Sequence, residues 1–418
     1  MNKTFKILIV LIFPIQLLAQ SNETNNWKNF ANQYNNLYKP LIKTEILNIS
    51  LSQDLSAKGF NNKFFYPFIF NNNLSKNTID NNLKKDGFKK IDIEKTFNIT
   101  YINLKKTPFK NKNIHWLIKT ASNNTTSIKL TNDATKLIFK GNTDTTKYNF
   151  DDCHYYNLSF NKMGAGIFYI NEKAAKPYNL SFAVNFIQIK NYTSFVSFKN
   201  NYLISNEDSF DLGLNYDATF ASNSLSNFDG MGLSTDFNFN YKYKKNSIFS
   251  IRINDLGFAK FNNSITFYTS NNVYKYDGIY IPDISMLNND SYFQNQIDST
   301  VNRFTNKQEK LDKTLFIAPQ TEASITTLYK KGYYSATLRQ NGTKSQPALS
   351  LRYFRFFNPF IIGGASISYF NNIYLNTDAS FSFRNKFFFQ LGIKHLEALL
   401  LPSKFGGVGI NAGFQFIY

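Results

Sequence analysis

The sequence predicts an all-β fold, a transmembrane antiparallel β-barrel of about 14 strands (12–16) with an N-terminal hatch or plug segment. Three observations predict it: an N-terminal export signal, strands that alternate apolar and polar residues, and a heavy load of aromatic residues. After the first apolar run, no other apolar stretch is long enough for a spanning helix. A membrane protein of this sequence would therefore cross the bilayer as a closed barrel, which satisfies every backbone polar group.

Residues 1–19 have the pattern of a secretory signal peptide. Lys3 and Lys6 precede an apolar run from Ile7 to Leu18, and Ala19 is a small residue suited to cleavage. The run is shorter than the roughly 20 residues of a spanning helix, so a retained anchor is the weaker alternative. Export followed by barrel assembly predicts the outer membrane of a Gram-negative bacterium.

Two segments, residues 210–220 and 231–243, alternate large apolar residues with acids, amides and small residues. Successive acids and amides do not suit a dry core, where each needs a partner, but they suit a wet lumen. The candidate lumen-lining residues are Asp211, Asn215, Asp217, Asp236, Asn238 and Asn240. They either line a permeation path or ligand site, or form hydrogen bonds that fix the barrel. A soluble antiparallel sandwich with one solvated face gives the same alternation and stays open as an alternative.

Composition favours the membrane interpretation. The 418 residues include 44 Phe and 26 Tyr, although the mean hydropathy is only −0.34. A barrel displays such aromatic residues to lipid and at both interfaces. The formal charge of +19 is spread over turn-like stretches, which argues against nucleic acid and favours outer-membrane lipid and lipopolysaccharide as partners. Cys153 is the only cysteine, so it is either a buried small residue or an intermolecular link.

The order of patterns predicts three regions: a signal peptide at 1–19, an N-terminal segment at 20–95 as a possible hatch, and a barrel at 96–418. A long loop insert is expected near 256–313, where the alternation breaks, and a short helix is expected over Asn132–Lys140. The final strand carries Phe414, Phe416 and Tyr418 on one face. This face resembles the terminal strand by which the barrel assembly machinery recognises its substrates.

The residues around position 255 carry a family resemblance. An Asp-Leu-Gly-aromatic turn follows a strand, and its residues are Asp255, Leu256, Gly257 and Phe258. Phe261 follows where tryptophan is more usual, and then the pair Gly278-Ile279. With the segments Thr96-Phe97, Leu137–Asn142 and Leu214–Ala218, this resembles the Bacteroidota outer-membrane barrel family called domain of unknown function 5723.

The resemblance covers most of the chain after about Thr44. The family is distantly similar to FadL-type and PorV-type barrels, which implies about 14 strands and an N-terminal hatch. It implies no activity and no catalytic residue.

No group of residues predicts catalysis, a cofactor or a metal site. His115, His154 and His395 are far apart and lack metal-ligand spacing. His395 and Glu397 would share a strand face and, with a serine, resemble the site of barrel phospholipases. A polar pair near the lipid head groups is the favoured interpretation.

Two weaker metal candidates lie in the middle of the chain. Cys153 and His154 are adjacent but supply only two ligands. Asp151 and Asp152, near Asp144, are more typical of a solvated acidic loop than of a calcium site.

Two functions remain open. The favoured one is a transporter or channel that passes small or hydrophobic molecules past the hatch, as the FadL resemblance implies. The alternative is a non-conducting barrel scaffold that docks a secreted or envelope protein, as the PorV resemblance implies. An exported protein partner belongs to this second function.

Overall fold

The computed structural model describes residues 45–67, 75–83, 87–108, 111–141, 147–171, 177–205, 209–222, 230–244, 246–276, 307–329, 332–342, 347–358, 361–370, 372–383 and 387–418. The strands in these ranges are β1 (Glu45–Lys58), β2 (Lys89–Asn103), β3 (Ile114–Leu130), β4 (Lys147–Asn149), β5 (His154–Asn171), β6 (Tyr178–Ser197), β7 (Tyr202–Ser205), β8 (Phe210–Ser222), β9 (Met231–Lys244), β10 (Ser247–Tyr276), β11 (Lys307–Ile317), β12 (Gln320–Tyr329), β13 (Gly332–Gln340), β14 (Ala348–Asn358), β15 (Ile361–Phe370), β16 (Asn372–Phe383), β17 (Phe387–Lys394) and β18 (Gly406–Ile417). The helices are α1 (Asn62–Tyr66), α2 (Lys76–Leu83), α3 (Asn132–Lys140) and α4 (Leu396–Leu400). None of these helices is long and apolar enough to cross a bilayer.

The strands form one closed antiparallel barrel. Strand β1 pairs with β2 on one side and with β18 on the other, which closes the sheet on itself. Strands β8 and β9 lie end to end between β6 and β10, so together they occupy one strand position in the barrel wall. Strands β11 and β12 likewise lie end to end on the other side of β10. With these two pairs counted once and the short side strands β4 and β7 left out, the circuit has 14 strand positions. The predicted all-β barrel is confirmed.

The break between β11 and β12 has a simple cause. Both strands pair with β10 in one register, from Gly257 opposite Ile317 to Asn254 opposite Gln320. Pro319 lies between them and has no N–H to give to the ladder. One continuous wall position is thus divided into two strands.

The outer wall is apolar around the whole circuit. Large apolar side chains that face outward and are exposed include Leu51, Phe97, Trp116, Phe182, Leu233, Ile325, Leu338, Leu351, Ile367, Ile373, Leu391 and Ile410. A soluble protein rarely exposes so large an apolar surface, whereas lipid requires it. The belt identifies the fold as a transmembrane barrel.

The two rims of the barrel differ. At the short-turn end, β9 and β10 are joined after Lys244 and β12 and β13 after Tyr329, and the backbones of Glu45 and Tyr418 hydrogen-bond to each other. Outward-facing aromatic rings line this end, with centroids 4.7 Å apart for Tyr334 and Tyr353. Such rings form the interfacial girdle of membrane barrels.

At the opposite rim, the long-connection end, helices α1 and α2 lie between β1 and β2, α3 lies between β3 and β4, and α4 lies between β17 and β18. Helix α3 spans the predicted residues, begins after the N-cap Thr131 and ends at Gly141, which has a φ of 72°. The predicted short helix is confirmed.

The barrel begins earlier than the sequence predicted. The boundary at residue 96 is wrong, because β1 starts at Glu45 and β2 at Lys89. The alternation was present in β1, where Leu47, Ile49 and Leu51 are separated by Asn48 and Ser50, but it was overlooked within an Asn- and Lys-rich stretch. Of the predicted hatch at 20–95, residues 20–44 lie outside the described ranges, and the hatch remains a prediction there.

The loop insert predicted near 256–313 is also wrong over much of its length. Strand β10 continues through this region to Tyr276, and β11 begins at Lys307. The alternation breaks there because β10 has one extra residue between Ile253 and Leu256, which shifts the inward-facing positions by one. A second irregularity lies between Phe261 and Ile265, where β10 has two residues more than β11. Residues 277–306 lie outside the described ranges.

Candidate functional site

Two cavities, lined by described residues of the lumen wall, lie at different heights. The lower chamber, of about 460 Å³, reaches toward the short-turn end; residues around it include Asn48, Thr100, Lys119, Lys162, Ser181, Asp236, Asn238 and Arg252. The upper chamber, of about 250 Å³, reaches toward the long-connection end; residues around it include Asp54, Ser56, Ser350, Arg352, Ser368, Tyr374, Asn376, Lys394 and His395. Polar side chains dominate both linings. Each chamber is large enough for a small solute with its hydration.

The chambers meet at Glu322 and Arg339, which line both of them. These two residues face each other across β12 and β13, and Arg252 faces Glu322 from β10, so the three charges form one row. The Nε of Arg339 donates to Asn341 at 3.1 Å. The row forms the junction of the path along the lumen.

A buried charge cluster forms one wall of the lower chamber. The ammonium of Lys162 on β5 reaches over β6 and contacts the carboxylates of Asp236 on β9 and Asp255 on β10. Lys119 on β3 contacts Asp236 at 2.6 Å, and the amide of Asn123 donates to Asp255 at 3.3 Å. Two cations therefore face two anions in a nearly closed network. Such pairing offsets the cost of removing the carboxylates from water.

The Asp-Leu-Gly-aromatic motif is a bulge inside β10 and not a turn after a strand. Asp255 has a φ of 64°, and its N–H donates to Asp236 at 2.9 Å. Aspartate tolerates this left-handed conformation better than most residues. Two residues further on, a Cβ on Gly257 would collide with the backbone of Leu233, so only glycine fits the close approach of β9. The bulge turns the Asp255 carboxylate into the lumen.

Above the charge cluster, the lumen-facing sides of β5, β6, β8, β10 and β11 form a packed apolar cluster. Its members are Leu158, Phe160, Ile187, Ile189, Tyr192, Ala221, Ala259, Phe261, Leu315 and Ile317. Ile187, Ala259 and Phe261 are fully buried. This apolar cluster fills the part of the lumen toward the long-connection end on one side, so the path from the lower to the upper chamber runs along the other side.

His395 lies at the top of the upper chamber, directly after β17. Its Nε2 is 2.7 Å from Asp54 and its Nδ1 is 3.5 Å from Glu397. Burial alone lowers the pKa of the imidazolium, but the hydrogen bonds and charges of the two carboxylates outweigh it and raise the pKa to about 9. Glu397 also accepts from the N–H of Leu375 at 2.6 Å.

This geometry differs from the predicted strand pair and from a hydrolytic triad. Glu397 belongs to α4 and not to a strand, because the chain turns at His395, which has a φ of 60°. Both ring nitrogens face carboxylates, and a general base needs one nitrogen directed at the nucleophile. The contacts instead tie α4 and β17 to β1.

The six predicted lumen-lining residues separate into two groups. Asp236 and Asn238 line the lower chamber, and Asn240 on the same strand donates to Asn179 at 2.7 Å. Asp211, Asn215 and Asp217 lie on β8, which pairs with the outer parts of β6 and β10 beyond the apolar cluster.

Asn215 acts as a structural residue in that outer sheet. Its N–H donates to Asn201 at 2.7 Å and its side-chain amide donates to the carbonyl of Lys199 at 3.0 Å. A role of the six residues in permeation remains a prediction.

The weaker metal candidates form ordinary loop contacts. Cys153 is buried and its Sγ lies 3.4 Å from the N–H of Thr131. Asp151 accepts hydrogen bonds from the N–H of Asn201 and the amide of Asn149. In the described ranges no three His, Cys, Asp or Glu side chains are grouped as a metal site would require, and Asp144 lies outside those ranges.

Sequence reasoning missed the arginines of the lumen. Arg252 and Arg352 each lie between two apolar or aromatic neighbours on a strand, and Arg339 follows the outward-facing Leu338. The same alternation that selected the acids of β8 and β9 contains this signal. The acid and amides of β9 are easier to recognise, because Asp236, Asn238 and Asn240 occupy successive positions on one face.

Comparisons with known proteins give structural neighbours only. No protein-family model and no curated protein sequence matches the chain. A mutant of the monoaromatic hydrocarbon channel TodX aligns with a TM-score of 0.46 and 9% identity over 91% of each chain. The toluene transporter TbuX of Ralstonia pickettii aligns with a TM-score of 0.43 and 8% identity, over 90% of this chain and 89% of its own. A FadL homologue from Pseudomonas aeruginosa aligns with a TM-score of 0.41 and 8% identity over 90% of each chain. The scores are too low for these likenesses to carry an argument, and the resemblance to the family of domain 5723 remains a prediction.

Proposed function

We propose that this chain is an outer-membrane transporter that passes small solutes through its lumen. The observation that carries the proposal is the pair of polar chambers that meet at Glu322 and Arg339 and extend from one rim region of the barrel toward the other. Polar and charged groups along a pore are what conduction of small solutes requires, and both chambers have such a lining.

The side chains that line the two chambers indicate which kind of solute could pass. Around the chambers, Ser, Thr, Asn, Arg and Lys outnumber apolar side chains, which favours small polar solutes over purely hydrophobic ones. Hydrophobic molecules would require the apolar cluster around Phe261 to open. We therefore propose small polar solutes as the transported class.

The cellular setting belongs to the same proposal. The chain is exported with cleavage after Ala19, inserted by the barrel assembly machinery through its terminal strand, and embedded among outer-membrane lipid and lipopolysaccharide of a Gram-negative bacterium of the Bacteroidota. The long-connection end faces the exterior, as the longer loops of bacterial barrels do.

Solute uptake by proteoliposomes tests the proposal. The folded barrel is reconstituted in vesicles, and swelling is followed in uncharged sugars of increasing size. Ser350→Trp places a large ring on the lumen face of β14 in the upper chamber, whereas Leu351→Trp places the same ring on the lipid face of the same strand. We expect slower swelling for S350W and an unchanged rate for L351W.

Absence of swelling with the unaltered, folded protein would overturn the transport proposal. The scaffold that docks a secreted or envelope protein would then be the better hypothesis, since the apolar cluster already closes one side of the lumen.

A further inference from the structure

Some charged side chains of the lumen wall are buried and paired, so a solute in the lumen meets only the exposed ones. The carboxylates of Asp236 and Asp255 have side chains only 5% and 6% exposed, because Lys119 and Lys162 cover them. Asp378 is likewise only 5% exposed. Asp236 and Asp255 are neutralised by these lysines and contribute little field to the path, whereas Asp378 accepts from the amide of Asn411 at 3.2 Å.

The arginines differ from these acids in exposure. The side chain of Arg252 is 52% exposed, and its nearest carboxylate, on Glu322, is 3.8 Å away. The side chain of Arg352 is 43% exposed, and its contact with Asp378 is 3.9 Å long. At these distances both guanidinium groups keep most of their N–H donors available to a solute.

The arginines also lie on one wall of the lumen, formed by β10, β12, β13 and β14. Arg252 lines the lower chamber, Arg339 lines both chambers, and Arg352, which lies opposite Ser335 on β13, lines the upper chamber. Arg252 and Arg339 flank Glu322 from the two neighbouring strands, so about 10 Å separates their strands. An anion leaving one guanidinium is therefore within reach of the next.

Two other acids line the chambers near this series: Glu94 accepts from the amide of Asn341 at 2.6 Å, and the side chain of Glu322 is 31% exposed. Glu322 lies between two arginines, so its charge is more than balanced at the junction. Asp54 in the upper chamber is balanced by Lys394 at 3.1 Å and by His395 at 2.7 Å.

We infer that Arg252, Arg339 and Arg352 form an arginine track that makes the lumen selective for small organic anions carrying a carboxylate or phosphate group. The planar guanidinium binds either group through paired N–H donors, and several weak sites in series allow a solute to leave as well as to bind. This inference rests on the proposed transport function and names its substrate class.

The test is ion selectivity in planar bilayers that contain the purified, folded full chain. The bilayer separates two KCl solutions of different concentration, and the reversal potential gives the ratio of chloride to potassium permeability. We expect chloride to permeate better. Arg252→Gln with Arg352→Gln should lower the ratio by about twofold to fivefold per arginine, the effect of one unit charge a few ångströms from the ion in water.

Two further variants separate charge from structure. Arg252→Lys with Arg352→Lys keeps both charges and should keep selectivity for chloride. Arg355→Gln removes an arginine from the outward face of β14, three residues from Arg352, and should leave the ratio unchanged. Folding of every variant is checked beforehand by heat-modifiable gel migration.

Exchange of KCl for potassium malonate or potassium phosphate then distinguishes the two kinds of anion. Saturating conductance with either salt supports binding of that group along the track. A pore that conducts but prefers potassium, or whose ratio changes equally in R355Q, would overturn the arginine track and leave transport standing. A protein that neither conducts nor admits uncharged sugars would overturn both.

Discussion

The N–H of Asp255 donates to the carboxylate of Asp236 at 2.9 Å, so the side chain of one strand holds the backbone of its neighbour in a left-handed bulge. Lys162 contacts both carboxylates and keeps them from repelling each other. The same small network at the wall of the lower chamber therefore holds the bulge at Asp255 and neutralises both carboxylates. The network predicts where the barrel is most sensitive to substitution.

Replacement of Lys162 by methionine should strongly destabilise the barrel. The methionine keeps much of the side-chain length but leaves two buried carboxylates with only Lys119 nearby. Loss of one partner from a buried ion pair costs about 3–5 kcal/mol. The free energy of unfolding, measured from urea titrations in lipid vesicles, gives the size of the effect.

Lys260→Met on the exposed outer side of β10 is the matched control and should change the free energy of unfolding little. The double variant K162M with Asp255→Asn should be more stable than K162M alone, because it removes one of the unpaired charges. Equal losses for K162M and K260M would contradict the role of the network.

The lipid-facing belt predicts opposite results at two adjacent positions. Leu351→Arg places a charge on the outer wall, where an arginine near the bilayer midplane costs about 2–4 kcal/mol. Ser350→Arg places the same residue in the polar upper chamber and avoids that penalty. Urea unfolding in vesicles compares the two variants, and a larger loss for S350R would show that the faces are reversed.

The stability should fall at alkaline pH because of His395. Its pKa is about 9 in the folded barrel against an ordinary value of 6.5. The protonated ring binds Asp54 and Glu397, so its contribution is complete below pH 6.5 and is lost as the pH rises through 9. The difference in unfolding free energy between the unaltered protein and His395→Gln should shrink across this interval.

Asp54→Asn provides the control for this titration. It removes the closer carboxylate and should weaken the pH dependence while leaving the ring in place. A pH profile of H395Q that parallels the unaltered protein would assign the alkaline loss to other groups.

Truncation of Phe261 to alanine should open the apolar cluster. The ring is fully buried between strands of the lumen wall, and such truncations cost about 3–5 kcal/mol. We expect lower stability together with a larger single-channel conductance. Phe258→Ala, on the exposed outer side of the same strand, should leave the conductance unchanged.

Alternation was enough to predict the architecture. The strands β9 and β18 follow a clean period of two, and the circuit of 14 positions agrees with the expected number. The motif at Asp255 was recognised as a special position, but as a turn that ends a strand. A bulge and a turn use the same residue types, and only the pairing of β9 and β11 with both halves of β10 distinguishes them.

The site was harder to predict than the fold. Asp236 and Asn238 reach the lower chamber, whereas Asp211, Asn215 and Asp217 lie on a strand with the same pattern at another height. The period of two gives the face of a strand but contains no information about its height in the barrel. The burial of Asp236 by Lys162 is likewise invisible in sequence, because 74 residues separate them.

The unequal strand lengths have a consequence for the living cell. Strand β10 has 30 residues and β6 has 20, whereas β13 has 9 and β17 has 8. At about 3.3 Å per residue, the longest strand exceeds what a bilayer about 30 Å thick can cover even at a steep tilt. One flank therefore extends beyond the bilayer while the other ends close to its surface, so, with the long-connection end outside as proposed, a large ligand approaching the cell would meet the long-stranded flank first.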